Sequence, residues 1–236
     1  MNRSNSISAL EDQIYSLQYP AHIKCSKSFS YLLSNPANSC LFGEPNPEIL
    51  KGLTAHDLIA KDRLSNEYVD DVAMLDRKIV SGESLVVDTR YIKVHSGVLR
   101  YQDMFKTPLR NDHGKIYGIL TYSIERTMEV NLLELYSIYS NYFKSRKVAA
   151  INMMGYLGLT KFFRETATYC EIYILLSMVY TGGERKRIAD LVGLSVKTVQ
   201  NHIDSLKKKL NKHVNLEMLI YKIRQPRGTF SNNETH

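Results

Sequence analysis

The sequence predicts an α+β chain: a mixed domain with antiparallel strands, then a helical linker, then an all-α domain. Three observations predict it. Residues 10–127 carry short apolar runs separated by turn-rich stretches, residues 128–159 carry apolar positions at helical spacing without a proline, and residues 160–225 read as helix, turn, helix, turn, helix. The 236 residues, 44% hydrophobic, suffice for two ordinary cores. Residues 1–9 and 226–236 are expected to be flexible tails.

In the first domain the apolar runs are Ala21–Ile23, Phe29–Leu33, Leu85–Ile92 and Ile116–Ser123, broken by SNPANS, GEPNPE and NDHG. MFKTPLR, NDHGK and IYGILTYSIERT read in succession as a strand, a hairpin turn containing Asp112 and Gly114, and a second strand. In the linker, Leu132, Leu135, Tyr136, Tyr139, Tyr142 and Phe143 recur at helical spacing, so one connecting helix is expected. Its apolar stripe needs cover, either from the sheet domain or from the same helix of a second protomer, and a homodimer is the favoured arrangement.

In the third segment CEIYILLSMVY is followed by the turn-like TGGERK and then by RIADLVGLSVKTVQNHIDSLKKKLNK. Ile188, Leu191 and Leu194 form the apolar set of a short middle helix, Gly193 supplies the turn, and Ser195 is placed as an N-cap. Val199, Ile203, Leu206 and Leu210 then recur at intervals of four, three and four, which makes one buried stripe. The opposite face carries Lys197, Gln200, Asn201, Asp204 and Lys208.

Charge points to the partner of that face. Residues 160–236 hold 13 Lys or Arg against 7 Asp or Glu, so almost all of the chain's net +7 belongs to this third. A helix with such a stripe can enter a major groove. Amides at Gln200 and Asn201 can pair with adenine edges, Asp204 can accept from a cytosine amine or support Lys208 at i+4, and Lys197 and Lys208 suit phosphates.

The run IADLVGLSVKTVQNHIDSLKKKL resembles the LuxR-type helix-turn-helix pattern at Ile188, Ala189, Ser195, Thr198, Val199, His202, Leu206, Lys209 and Leu210. The resemblance implies a four-helix domain over residues 160–225, with a recognition helix at Val196–Asn211 and a final helix at Leu216–Ile223 that often pairs protomers. It also implies DNA contacts for Thr198, His202 and Lys209, with the alternative that His202 is a half-buried scaffold residue. Thr168–Glu171 reads TYCE where the family has T-x-R-E, so its arginine is missing, and TGGERKRIA is one residue longer than the usual turn.

Residues 10–127 resemble a PAS domain. The matching phrases are Asn35–Gly43, Gly52–Asp57 with Thr54, and the closing hairpin Thr107–Thr127. The resemblance implies a half-open antiparallel sheet flanked by helices that holds a small ligand or serves as a dimer surface. Its ligand-binding residues are not identified by the sequence. Phe29, Tyr31, Phe42, Tyr91, Tyr101, Phe105, Tyr117 and Tyr122 are candidates for a cavity wall, with ordinary core packing as the favoured alternative. No cofactor is expected: haem would want an axial histidine such as His56, rather than His22, His95 or His113, and the NCRFLQ-type flavin phrase is absent.

The chain is not expected to be an enzyme, since it lacks a P-loop, GxGxxG, HExxH and GxSxG. Asp70, Asp71 and Asp76 read as a solvated helix face, and no metal site is expected. Cys25, Cys40 and Cys170 stand far apart, which suits a reducing, cytoplasmic setting. No apolar stretch is long enough to span a membrane. The expected function is sequence-specific transcription regulation, with double-stranded DNA and RNA polymerase as partners. The alternative is a protein-interaction module that has lost DNA recognition.

Overall fold

The turn-rich breaks of the first half fold it into one antiparallel sheet. In this computed structural model, residues 3–60, 64, 66–95 and 97–225 are described, and the chain divides into two units, Met1–Thr127 and Met128–His236. The expected tail at 226–236 lies outside the described residues.

In the first unit the order is α1 (Arg3–Ser16), β1 (Ala21–Cys25), β2 (Tyr31–Ser34), α2 (Pro36–Leu41), a 3-10 turn at Pro47–Leu50, α3 (Ala55–Ala60), α4 (Asn66–Val80), β3 (Val86–Lys93), β4 (Leu99–Arg110) and β5 (Ile116–Glu125). The strand order is β2-β1-β5-β4-β3, all antiparallel. The hairpin expected around Asp112 and Gly114 joins β4 to β5. Asn111 sets its turn, its Oδ1 accepting from the backbone N–H groups of His113 and Lys115 at 3.1 and 3.0 Å.

Each face of the sheet has its own cover. Ile14 of α1, with Leu10 and Leu17 beside it, packs on Ala21 and Ile23, so α1 begins at Arg3 where a tail to residue 9 was expected. Burial of that apolar side is what holds the segment as helix. On the other face Val72, Leu75 and Ile79 of α4 pack on Val86, Met104 and Ile119. Asn35 joins the parts: its Oδ1 accepts from the N–H of Ala21 and Asn38, and its Nδ2 donates to the carbonyls of Ile14, Leu17 and Tyr19. Every hydrogen-bonding valence of this buried amide is used.

The acidic cluster does not form one solvated face. Asp70 and Asp71 are exposed, but Asp76 is only 1% exposed and accepts from Lys24 Nζ at 3.0 Å and from Lys106 Nζ. Burial alone would raise the Asp76 pKa, and the two ammoniums hold it below the usual carboxylate value.

The second unit contains α5 (Leu132–Phe143), α6 (Arg146–Tyr156), a 3-10 turn at Thr160–Phe162, α7 (Tyr169–Thr181), α8 (Arg185–Val192), α9 (Val196–Lys208) and α10 (Leu216–Arg224). The single connecting helix expected over the linker is therefore two. Lys144 takes a left-handed conformation that ends α5, and Ser145 caps α6 by accepting from the Val148 N–H. The stripe of α5 is covered within the chain, because α5, α6 and α7 pack together and bury Leu132, Leu135, Tyr136 and Tyr139. Tyr136 stacks on Tyr169 at 4.6 Å and donates its hydroxyl to the Tyr169 carbonyl. Tyr142 alone of that stripe stays exposed.

Asp76→Asn leaves two buried ammoniums without their counter-charge. It is expected to lower unfolding stability by about 3–5 kcal/mol. Urea denaturation followed by circular dichroism measures this, and a loss below about 1 kcal/mol would mean that the triad is not a structural tie.

Candidate functional site

The helix-turn-helix is set by two backbone devices. Gly193 closes α8 at φ +67, a left-handed position that an L side chain resists, and this turns the chain back toward α9. Two residues on, Ser195 Oγ accepts from the Thr198 N–H at 3.0 Å, so the expected N-cap is formed. Val199, Ile203, Leu206 and Leu210 are all buried, as their spacing requires. The middle helix differs: Ile188 and Ala189 face the core, whereas Leu191 and Leu194 are exposed.

A second carboxylate fixes where α9 stands. Glu171, in the first turn of α7, accepts from Ser205 Oγ at 2.6 Å and from Lys209 Nζ at 2.8 Å, and its other hydrogen bond, from the Thr168 N–H at 2.6 Å, completes a capping box. Glu171 is nearly fully buried. Burial would raise its pKa, and the bonds from Lys209, Ser205 and Thr168 bring it below the ordinary value. At the same end, Arg164 Nε donates to the Lys208 carbonyl at 2.9 Å, a cation on the negative end of α9. The start of α7 and the end of α9 are thereby tied.

With α9 so held, Lys197, Asn201, Asp204 and Lys208 are exposed together on its outward stripe. Gln200 is half-buried at the edge: its Nε2 donates to Asp204 Oδ1 at 2.8 Å, and its Oε1 is buried with no partner among the described residues. Asp204 thus takes up the Gln200 amide and not Lys208. Thr198 and His202 are half-buried on the flank, and Thr198 Oγ1 lies 2.8 Å from Ser195 Oγ. Lys209 turns inward to Glu171, away from the stripe. Arg185, Lys186 and Arg187 at the start of α8 are exposed, with Arg187 paired to Glu184 at 2.8 Å. The roles of Glu171 and Ser205 were missed from sequence; the capping spacing Thr168 to Glu171 was the available signal.

In the first unit the eight aromatics divide. Tyr91 stacks on Tyr101 and Phe105 on Tyr122, at 4.7 and 4.9 Å, as cross-strand pairs, and Tyr117 is exposed. Tyr31 and Phe42 are buried, and Phe29 packs beside the α4 cluster. Of the four histidines considered, His56, His95 and His113 are exposed and His22 is buried. Among the described residues no helix is long and apolar enough to cross a membrane.

Residues 16–131 match the family model of the PAS fold, and residues 171–221 match that of the bacterial regulatory proteins of the luxR family. No curated protein matches the chain. Among solved structures, the phage VqmA–DPO complex is similar at 21% identity and a TM-score of 0.50, over 93% of this chain and 88% of that one. The Vibrio cholera VqmA–ligand–DNA complex aligns at 20% identity and 0.45, over 94% and 86%. The PAS domain of Bordetella pertussis BvgS aligns at 15% identity and 0.47, over 60% and 99%. The likeness to the phage protein is one of fold.

Glu171→Gln is expected to cost about 1–3 kcal/mol by weakening the pair with Lys209. A carboxylate whose folded pKa is depressed contributes its full stability above the unfolded carboxylate range, so the wild-type advantage should be lost as pH falls from that range through the lower folded pKa. The chain has no tryptophan, so the helical circular dichroism signal is the measurement; equal stability of the two proteins at neutral pH would refute the tie.

Proposed function

Because this chain is a LuxR-type DNA-binding transcription regulator with a PAS-fold domain ahead of its helix-turn-helix, we propose that it reads DNA through the outward stripe of α9. Asn201, with Gln200 once its amide exchanges Asp204 for a base, contacts adenine edges, and Asp204 then accepts from a cytosine amine. Lys197 and Lys208 contact phosphates, with Thr198 and His202 at the flank. Lys209 acts through Glu171 as a positioning residue. The observation that carries this reading is the joint exposure of Lys197, Asn201, Asp204 and Lys208 on a helix fixed at both ends.

The chain acts as a homodimer in the cytoplasm, and its two heads meet half-sites about 34 Å apart, one helical turn of DNA. Met218 and Tyr221, exposed on α10, offer apolar surface for pairing. The PAS-fold domain holds a small molecule that biases the dimer between two states, by as much as its affinity for those states differs. The DNA-bound dimer then contacts RNA polymerase.

Genome-wide enrichment with the full chain should return one palindromic motif, lost in the Gln200→Ala, Asn201→Ala variant; no motif with either protein would favour a protein-interaction module. Independently, Lys208→Ala should lower affinity about equally across sequences and flatten the dependence of log K on log salt by about 0.9, the slope of one phosphate no longer neutralised.

A further inference from the structure

Beneath α4, beside the apolar cluster of Met104 and Ile119, the sheet face carries a buried polar row. Ser34, His22, Thr121 and Lys106 lie in one cross-strand row over β2, β1, β5 and β4, and Lys24 lies two residues beyond His22 on the same face. All five are buried.

Two features of this face are left unmet among the described residues. The first is charge. Lys24 and Lys106 share the single carboxylate of Asp76, and Lys106 also donates to Thr121 Oγ1 at 3.2 Å. Arg90, the next cation felt at Lys106, is itself paired with Asp88 and Asp71. Burial keeps the Tyr31 and Tyr68 phenols protonated, and burial with the nearby lysines keeps His22 neutral. Among the described residues one positive charge is left over. The second is an acceptor. His22 Nδ1 lies 3.1 Å from Asn38 Oδ1, and the Asn38 amide is oriented by its Nδ2 donating to Ser34 Oγ at 2.9 Å. Nδ1 therefore carries the proton and Nε2 is a bare acceptor. That atom is buried with no partner among the described residues, which a folded core does not leave without cause.

We propose that this face binds a small hydroxycarboxylate, its carboxylate accepting from the Lys24 and Lys106 ammoniums and its hydroxyl donating to His22 Nε2. The inference rests on the reading of the PAS-fold domain as a small-molecule sensor. A monoanion supplies the one missing charge, and an adjacent hydroxyl supplies the one missing donor. The groups facing Lys106 are Lys24, His22 and Thr121 from the sheet, Asp76 from α4 and Arg90 from β3, and Tyr31 and Tyr68 stand beside Lys24 and Asp76. Burial lowers Lys106 to about 8 against the pull of Asp76. The carboxylate needs the ammonium form, so binding should be full below that value and weaken above it, by about tenfold between pH 7 and pH 9.

Titration calorimetry of the full chain with glycolate, lactate and 3-hydroxybutyrate tests this, with acetate and propane-1,2-diol as controls. At least one hydroxycarboxylate should bind more tightly than acetate at pH 7, the diol should not bind, and the affinity should drop at pH 9. Lys106→Met should abolish binding. His22→Phe should remove the advantage of each hydroxycarboxylate over acetate; it decides the matter with the pH series even if Lys106→Met does not fold. Absence of binding by all three acids overturns the proposal. Mass spectrometry of small molecules extracted from the purified chain separates the two readings. A neutral molecule held by the chain would leave small-molecule sensing standing while overturning the hydroxycarboxylate, whereas no bound molecule and no hydroxycarboxylate binding would remove both.

Discussion

A carboxylate taken out of water must be met by donors and counter-charge, and each unit of this chain is tied together by one such group. Asp76 draws β1 and β4 to α4 through Lys24 and Lys106. Glu171 draws the end of α9 to the start of α7 through Ser205 and Lys209. Apolar packing alone lets helices slide; a buried charge has few geometries in which it is satisfied, and so it selects among packings of similar apolar area.

For the DNA-binding unit this constraint decides which cations are available. Lys207, Lys208 and Lys209 are adjacent in the sequence, yet Lys207 and Lys208 point to solvent while Lys209 closes the pair with Glu171. The outward stripe is thereby left with Lys197 and Lys208 flanking Asn201 and Asp204. The Gln200 to Asp204 bond holds both side chains along the helix. The arginine missing beside Glu171 does not disturb the tie, since Cys170 is exposed and Glu171 makes its contacts from its own position.

In the PAS-fold unit the same principle leaves something over. Lys24 and Lys106 bring two charges to one carboxylate, and His22 is anchored at only one of its ring nitrogens. On the opposite sheet face α1 packs on an apolar cluster.

Periodicity and turn chemistry made much of this protein legible in its sequence. The strands of the closing hairpin, the Ser195 cap, the turn at Gly193 and the buried stripe Val199, Ile203, Leu206 and Leu210 are local: each follows from residues within a few positions of one another. The outward stripe was legible for the same reason, since a helix with one face buried must present the other. Tertiary structure alone decided that the linker is two helices packed on α7, that α1 reaches back to Arg3, that Leu191 faces solvent, and that Asp76 is buried while Asp70 and Asp71 are not. It also decided that Lys209 turns away from the stripe. These depend on partners 38 residues away for Lys209 and 52 and 30 residues away for Asp76. A charged side chain reads as solvent-facing until the fold brings it an opposite charge, and no local pattern announces that meeting.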